Sequence, residues 1–255
     1  MKYDISTIKN CLNTLQTLTN CSSWNVIYDT YKYTYPNHPD ETREAIIRQN
    51  DIKLNVISED LYFVLMHVTT SANDCKDIKN NGIHDLEWVL KHDTELKQFL
   101  SDNHICFEIP NRKMYINNDA FDISNDCNGV GFKIFKDKDI CACFQINKKY
   151  PYGGDVHKRP EILHNINKYV SDKDLSYNWY TTHTPYVVTF QVPYSNMDIA
   201  LQMSVKDEGE EKILNGLLNW AIDIFFYRNC RSDRIGILKR DVFVPPTDII
   251  SIIEY

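Results

Sequence analysis

The sequence has no long apolar run, little glycine and proline, and an excess of acidic over basic residues. Its longest apolar run, residues 221–227, is interrupted by Asp223 and is too short to cross a bilayer. The opening MKYDISTIKN has no apolar stretch of the kind that a signal peptide needs. With 8 glycines and 9 prolines in 255 residues, the chain also has no low-complexity tract. We therefore expect a cytoplasmic protein that makes no membrane contact.

Basic residues are too few to attract nucleic acid through the overall charge. Lysine and arginine number 28 against 35 aspartates and glutamates, which gives a formal net charge of -7. Because neutralising phosphates requires clustered lysine and arginine, nucleic acid binding would need a local basic patch. The composition, 43% hydrophobic and 25% charged, is that of a folded globular chain and excludes disorder over the whole length.

The eight cysteines contain no Cys-x-x-Cys pair and no repeated spacing. The only close pair, Cys141 and Cys143, lies in the alternating segment ICACF, where both sulfur atoms would lie on one face of a strand. Structural zinc sites place close cysteine or histidine pairs on turns, so this pattern does not favour zinc. In the absence of a secretion signal we expect reduced thiols and no metal site.

The periodicity divides the chain into an N-terminal helical lobe, residues 1–58, and a mixed domain, residues 59–255. In the lobe, apolar residues recur at helical spacing from Ile5 to Leu18, and Pro39-Asp40-Glu41 is typical of a helix start. The second segment combines short apolar runs with helical patterns, and some of the runs come in pairs joined by polar turns. Such pairs favour the α+β class with a largely antiparallel sheet.

The elements of the second segment follow from its local pattern. We predict strands at residues 61–68, 105–109, 113–117, 132–135, 140–146, 186–192, 234–238 and 248–255. The polar residues 136–139 join two of these runs and predict a hairpin. We predict helices at 71–81, 161–170 and 210–228, with Gly82 ending the first of them in a left-handed conformation.

The sharpest local feature is the run Met66-His67-Val68-Thr69-Thr70-Ser71, where a predicted strand gives way to a helix. A histidine at the end of a strand is held by a rigid frame. Hydroxyl groups beside it bind the hydroxyls of a ligand or cap the next helix. A core histidine followed by an ordinary helix cap is the alternative interpretation.

This run and the residues after it resemble the opening of the ADP-ribosyltransferase fold. The likeness consists of His67-x-Thr69, a helix with Ile78, and Gly82-Ile83 followed by Leu86. It covers residues 60–90 and is nearest to toxin-type enzymes of the His–Tyr–Glu group that modify nucleic acids. The resemblance implies a split antiparallel sheet core and NAD as the substrate. It also implies that His67 holds a ribose hydroxyl of NAD and that Thr69 supports it.

A second cluster of polar and aromatic residues fills positions 150–161, between a predicted strand and a predicted helix. The resemblance implies that Tyr152 or Tyr150 stacks on the nicotinamide ring of NAD. Arg159 suits a pyrophosphate because its guanidinium donates in a fork, and His157 lies beside it in the chain. The alternative is a solvated loop whose charges only keep it soluble.

The third element of the family is a late glutamate that stabilises the positive charge developing on the ribose. This sequence departs from that pattern, because no glutamate lies between Glu211 and Glu254. Asp241 keeps the expected order along the chain but has a shorter side chain. Glu161 has the reach and lies in the second cluster. We therefore treat Glu161 and Asp241 as alternative catalytic carboxylates, with Glu210 and Glu211 as further candidates.

Three functions are compatible with these residues. The resemblance implies a NAD-dependent mono-ADP-ribosyltransferase, a bacterial toxin or phage-defence effector that modifies nucleic acid or protein, with an antitoxin or inhibitor protein as a partner. The second is a metal-independent ribonuclease toxin, with His67 and His157 as base and acid and Arg159 on the phosphate. The third is a non-catalytic module on the same fold that senses NAD or another ligand.

Overall fold

The protein is an α+β chain in which helices and strands follow one another irregularly. The computed structural model describes residues 1–32, 39–126, 128–146, 155–198, 209–227 and 234–255. The strands within these ranges are β1 (Lys2–Tyr3), β2 (Tyr62–Ser71), β3 (Ile105–Glu108), β4 (Lys113–Ile116), β5 (Asp119–Asp122), β6 (Cys141–Cys143), β7 (Thr184–Pro193), β8 (Ile235–Ile237) and β9 (Ile249–Glu254). The helices within them are α1 (Ile8–Thr19), α2 (Trp24–Tyr31), α3 (Pro39–Gln49), α4 (Lys76–Asn81), α5 (Leu86–Lys91), α6 (Glu95–Asp102), α7 (Val130–Phe135), α8 (Glu161–Ile166), α9 (Leu175–Thr182) and α10 (Glu210–Tyr227).

The strands form two sheets with mainly antiparallel pairing, and the α+β class predicted from the sequence is confirmed. The larger sheet has the order β8-β6-β2-β7-β9, and the short β1 pairs in parallel with β2. β2 and β6 are antiparallel with Met66 opposite Cys143, and β7 and β9 are antiparallel with Tyr186 opposite Glu254. The smaller sheet is the antiparallel meander β3-β4-β5. An ADP-ribosyltransferase type of sheet stays a prediction.

The chain divides into two compact units. The first consists of Met1–Met66, Ala142–Tyr150 and Gln191–Ile237, and the second of His67–Cys141, Pro151–Phe190 and Leu238–Tyr255. The boundary at residue 58 predicts that residues 1–58 and 59–255 are separate domains, and this stays a prediction. Among the described residues, no helix has both the length and the apolar character needed to span a bilayer.

The first unit is organised around α1 and α10, which pack against each other. The Tyr3 hydroxyl donates to the carbonyl oxygen of Leu217 over 2.8 Å, and the Cys11 thiol donates to that of Ala221 over 2.9 Å. Burial raises the pKa of Cys11 to about 12, so the thiol stays protonated and keeps this bond. The N-terminal segment is therefore tied to α10 by buried polar bonds as well as by apolar contact.

The second unit has an apolar core of its own, which includes Leu100, Ile105, Met114, Val130, Ile134, Leu163, Ile166 and Trp179. α4 ends at Gly82 with a φ of 89° and a ψ of -164°, so the φ is positive but the predicted left-handed helical cap is wrong. A Cβ atom at this position would lie 1.9 Å from the carbonyl oxygen of Val244. The backbone N–H of Ile83 donates to that same oxygen over 2.9 Å, so only glycine permits this close backbone approach.

The predicted hairpin over residues 132–146 is wrong. Residues 132–135 belong to helix α7, and only Cys141–Cys143 of the second run forms a strand. Val130 and Ile134 are one helical turn apart and both fully buried, and this helical spacing is not visible within 132–135 alone. Tertiary burial of the i and i+4 positions thus outweighed the strand-like alternation of the short run.

Candidate functional site

His67 lies in β2 with its ring orientation fixed by one hydrogen bond. Its Nδ1 atom lies 3.0 Å from the carbonyl oxygen of Cys141, and since a carbonyl only accepts, Nδ1 carries the proton. Burial lowers the pKa of His67, and the bond to the carbonyl only partly offsets this, so the ring is neutral at pH 7. In the neutral ring Nε2 is then an acceptor, and no described residue provides it with a hydrogen bond.

Thr69 lies two residues further along β2, on the same face of the strand as His67. It is half-buried, and its hydroxyl has no hydrogen-bonding partner in the described parts of the chain. Two adjacent polar atoms on one face, an acceptor on His67 and a hydroxyl on Thr69, are thus available to a ligand. Sugar hydroxyls both donate and accept hydrogen bonds, so they are one kind of ligand group that such a pair can bind.

The next two residues of the motif have structural roles. Thr70 is buried and accepts a 2.8 Å hydrogen bond from the indole N–H of Trp179. Ser71 is also buried, and its hydroxyl accepts from the backbone N–H groups of Asn73 and Cys75 at 3.1 and 3.0 Å. Ser71 therefore fixes the turn between β2 and α4, but the helix cap expected of the motif is not formed: the N-cap residue of α4 is Cys75, which makes no side-chain capping bond. Thr70 and Ser71 are thus both used by the fold, whereas Nε2 of His67 and the hydroxyl of Thr69 are not. β2 consequently continues to Ser71, and α4 begins only at Lys76.

Glu161 is the first residue of α8, and its carboxylate is paired with the ammonium group of Lys133. The same ammonium binds Asp137 at 2.5 Å. Burial acts against the charge of Lys133, but the bonds to Asp137 and Glu161 outweigh it and raise the pKa of this lysine. The Glu161 side chain is 40% exposed, so it is accessible to a ligand from the solvent.

Cys141 connects this ion cluster with His67. Its carbonyl oxygen holds the His67 ring, and its thiol feels the charges of Asp137, Lys133 and Glu161. Burial, followed by the nearby carboxylates, raises the pKa of Cys141 to about 11, so the thiol is neutral and unreactive at pH 7. The structure thus brings Glu161 into the neighbourhood of the residue that orients His67.

Asp241 lies on an exposed turn with a φ of 63°. The charge with which it interacts is Lys138, whose ammonium is 2.5 Å from Glu87 in α5. Within the described ranges no contact joins either Asp241 or Glu161 to His67. We keep Glu161 as the first candidate because its charge acts on Cys141, whose carbonyl oxygen holds the His67 ring.

The loop cluster is described only from Asp155 onward, so Tyr150 and Tyr152 lie outside the described residues. The His157 ring stacks on Tyr255 with a centroid distance of 5.7 Å, and its buried Nδ1 atom has no hydrogen-bond partner in the described structure. The pKa of Asp155 is lowered mainly by its bond from Lys158, and that of Asp174 mainly by the backbone N–H of Tyr177. The positive charge of Arg159 adds a smaller effect at both carboxylates. No described contact joins His157 to His67, and the ribonuclease arrangement stays a prediction.

Sequence reasoning missed Glu95, which anchors the turn after β2. Its carboxylate accepts from the backbone N–H of Ala72 at 2.6 Å and from the Ser71 hydroxyl at 2.7 Å. His183 approaches the same carboxylate at 3.4 Å and stacks on Trp179 at 3.5 Å. Glu95 follows the N-cap residue of α6, where a glutamate is common for helix stability alone, so no local signal distinguishes it.

Glu95 and His183 also line an open cleft of about 520 Å³ in the second unit. Acidic and amide side chains dominate its wall, which includes Asp77, Asn80, Asn81, Asp93, Gln98 and Asp102. Burial lowers the pKa of His183, and the Trp179 carbonyl and the Glu95 charge only partly offset this. Over the part of the chain that the structure describes, no three histidine, cysteine, aspartate or glutamate residues converge as metal ligands.

In comparisons with known proteins, no family model, no curated protein and no solved structure matches this chain. The likeness to ADP-ribosyltransferases therefore depends on the residues of the β2 motif and on the geometry around them. It stays a hypothesis.

Proposed function

We propose that the chain is a NAD-dependent mono-ADP-ribosyltransferase that modifies nucleic acid or protein. The proposal depends on one observation, which is that the four polar residues of the run from His67 to Ser71 in β2 have two different roles. The Nε2 atom of His67 and the hydroxyl of Thr69 have no described partner, whereas Thr70 and Ser71 are committed to the fold. In β2, Thr70 and Ser71 bond to other parts of the fold, while His67 and Thr69 present polar atoms without a described partner on one face. Such an arrangement is typical of a ligand site on a rigid element.

The open pair suits the ribose of NAD. A ribose hydroxyl donates to Nε2 of His67, and a neighbouring hydroxyl exchanges a hydrogen bond with Thr69. Because the pKa of His67 is lowered, the ring keeps its accepting lone pair throughout the neutral pH range. The bond from Nδ1 to Cys141 fixes the ring before NAD arrives, so little rotational freedom of the side chain is lost on binding.

Transfer requires a negative group beside the ribose. The bond between the ribose C1 carbon and the nicotinamide nitrogen breaks, its electron pair leaves with nicotinamide, and the ribose ring becomes cationic. An acceptor nucleophile then forms a bond to C1 and loses a proton. We assign the stabilising carboxylate to Glu161, which is partly exposed beside Lys133 and whose charge acts on Cys141, the residue that holds the His67 ring.

The remaining assignments of the proposal come from the resemblance. Tyr152 or Tyr150 would stack on the nicotinamide ring, and Arg159 and His157 would meet the pyrophosphate and the adjacent ribose. The resemblance also supports a cytoplasmic toxin or phage-defence effector that is controlled by an antitoxin or inhibitor protein.

Transfer of label from NAD tests the proposal. The full chain is incubated with adenine-labelled NAD together with DNA, RNA or cell lysate, and both label on the acceptor and free nicotinamide are measured. We expect both products with the wild-type chain and a loss of at least about a hundredfold with His67→Ala. His164→Ala, at an exposed position of α8, is the matched control and should retain full activity.

The outcomes separate the alternatives. NAD binding without nicotinamide release or transfer, measured by calorimetry, would overturn the transferase and leave the non-catalytic NAD-sensing module. If NAD does not bind at all, both the transferase and the NAD-sensing module are excluded.

A further inference from the structure

β9 forms the outer edge of the larger sheet. It pairs with β7 on one side, and among the described residues no strand pairs with its other side. The strand is strongly exposed: Ile250 and Ile253 have 49% and 58% of their surface in solvent, and Ser251 and Glu254 are exposed as well. Within the described ranges, the outer side of β9 therefore carries backbone groups without a strand partner, and its branched apolar side chains are exposed to solvent.

This edge has little of the usual protection against pairing. Natural edge strands are commonly short, or carry a lysine, a proline or a bulge that prevents another strand from adding. β9 has six residues, four of them isoleucine, and contains neither lysine nor proline. Its pairing with β7 has one irregularity, which leaves Ile250 as an extra residue near the start of the strand, and is regular from Ser251 to Glu254. A regular, exposed edge of this kind is a template for β-strand addition.

The charge around the strand selects the kind of strand that fits. No lysine or arginine occurs from Asp241 to Tyr255, whereas Asp248 precedes β9 and Glu254 is its last residue. Two copies of β9 paired antiparallel would place Asp248 of one copy beside Glu254 of the other at both ends. Like charges directly opposite each other destabilise a strand pair, so a second copy of this chain is disfavoured. A strand with positive charges at its ends is favoured.

We propose that β9 is the docking edge for an extended segment of a partner protein, with β-branched residues at its centre and a lysine or arginine at each end. The segment adds antiparallel to β9 and extends the sheet by one strand. Its backbone bonds to the open edge of β9, its apolar residues contact the exposed side chains of Ile250 and Ile253, and its basic ends meet Asp248 and Glu254. This interaction does not depend on the NAD hypothesis.

A synthetic peptide tests the proposal. The probe alternates valine and threonine over six residues, with a lysine at either end and a fluorophore for anisotropy. We expect it to bind the full chain and to bind less tightly as the salt concentration rises. A peptide with glutamate at both ends should bind at least about tenfold more weakly, because it places like charges beside Asp248 and Glu254. A peptide N-methylated on alternate amides should not bind, because it lacks the strand donors.

Three variants locate the site and test its charge preference. Ile253→Lys places a charge in the exposed strand and should abolish peptide binding. Ile57→Lys introduces the same change at a residue of similar exposure in the first unit and should leave binding unchanged. Glu254→Lys should reverse the preference, so that the glutamate-ended peptide binds better than the lysine-ended one. Melting temperatures of all three variants verify that each still folds.

Several results would overturn the proposal. Equal binding of the probe by wild type and Ile253→Lys would place the interaction elsewhere, and undiminished binding of the N-methylated peptide would exclude strand addition. If sedimentation shows a dimer of the wild-type chain that Ile253→Lys dissociates, the edge serves a second copy of this chain and the basic partner is wrong.

Discussion

The Nδ1 atom of His67 lies 3.0 Å from the carbonyl oxygen of Cys141, and this one bond decides which ring nitrogen is left for a ligand. Because Nδ1 donates, Nε2 is an acceptor as long as the ring is neutral. The ring then meets donors such as sugar hydroxyls and has no proton to offer an anion. The relationship separates the NAD hypothesis, which needs an acceptor at this position, from any role of His67 as a phosphate-binding cation.

Replacing Thr69 by valine should weaken NAD binding without unfolding the protein. The change removes one hydroxyl and preserves the branched shape of the side chain. Since the hydroxyl has no described partner in the protein, the melting temperature should hardly change, while the affinity for NAD falls by about tenfold, the value of one hydrogen bond. Thr70→Val is the contrasting variant: it leaves the buried indole N–H of Trp179 without its acceptor and should lower the free energy of unfolding by about 1–3 kcal/mol.

The carboxylate assignment predicts different effects for two conservative variants. Glu161→Gln removes the charge beside the ribose and should reduce turnover by about a hundredfold while NAD affinity is largely kept. Asp241→Asn should retain most of the activity, because Asp241 interacts with Lys138 on an exposed turn. Rates and NAD affinities of both variants are measured together. If the order of the effects is reversed, Asp241 is the catalytic acid, and if neither variant is impaired, Glu210 and Glu211 become the candidates.

Two partly buried histidines predict how stability depends on pH. The pKa values of His67 and His183 lie below the ordinary value of 6.5, so between pH 7 and pH 5 the unfolded state binds more protons than the folded state. Their contribution to stability is fully present above pH 6.5 and is lost as the pH falls through that value toward the folded pKa. Denaturant unfolding at about pH 7.5 and about pH 5.5 should therefore show a lower free energy of unfolding at the acid value.

His67→Ala checks the source of this pH dependence. The variant should show a smaller difference between the two pH values than wild type does. The control His164→Ala, at an exposed position, should show the wild-type difference. An unchanged slope in His67→Ala would mean that the ring is not held neutral in the folded state.

Glu95→Gln should loosen the turn after β2. The carboxylate accepts hydrogen bonds from Ala72 and Ser71, and bonds to a charged group contribute about 1.5–3 kcal/mol each. The amide keeps the shape but loses the charge, so we expect a lower melting temperature and faster hydrogen exchange at residues 71–75. Glu59→Gln, an exposed glutamate in the first unit, is the control and should leave both unchanged.

Removing residues 1–58 should make the remaining chain aggregate. The segment supplies Tyr3 and Cys11, whose hydrogen bonds to Leu217 and Ala221 lie in the buried contact between α1 and α10. Without it, the apolar face of α10 is exposed to solvent. Size-exclusion chromatography of the shortened chain is the measurement. A soluble monomer with a cooperative melting transition would instead establish the lobe as an independent unit.

Much of the fold follows from patterns that are local in the sequence. The alternating run in β7 and the apolar stripe of α10 are long enough for their periodicity to specify them, and the structure has both. Residues 132–135 are too few to distinguish the hydrophobic periodicity of a strand from that of a helix. In the structure they belong to α7, which buries Val130 and Ile134. The secondary structure of such short runs depends on tertiary contacts, which are made with residues distant in the sequence.

The site was only partly accessible to sequence reasoning for the same physical reason. His67 and Thr69 are two residues apart on one strand, so the sequence alone places them together. Glu95 reaches Ser71 across 24 positions of the chain, and Lys133 reaches Glu161 across 28. Those pairings depend on how the helices pack on the sheet, and a single sequence contains no local signal for them.

The most direct measurement of the central claim is the ¹⁵N NMR spectrum of the histidine side chains during a titration with NAD. The signals of His67 are assigned by their loss in His67→Ala. We expect Nδ1 of His67 to be protonated and Nε2 to be unprotonated in the free chain. We also expect a saturable shift of the Nε2 signal when this atom accepts a hydrogen bond from a ribose hydroxyl of NAD. An Nε2 signal that does not move at saturating NAD, or a proton on Nε2 in the free chain, would contradict it.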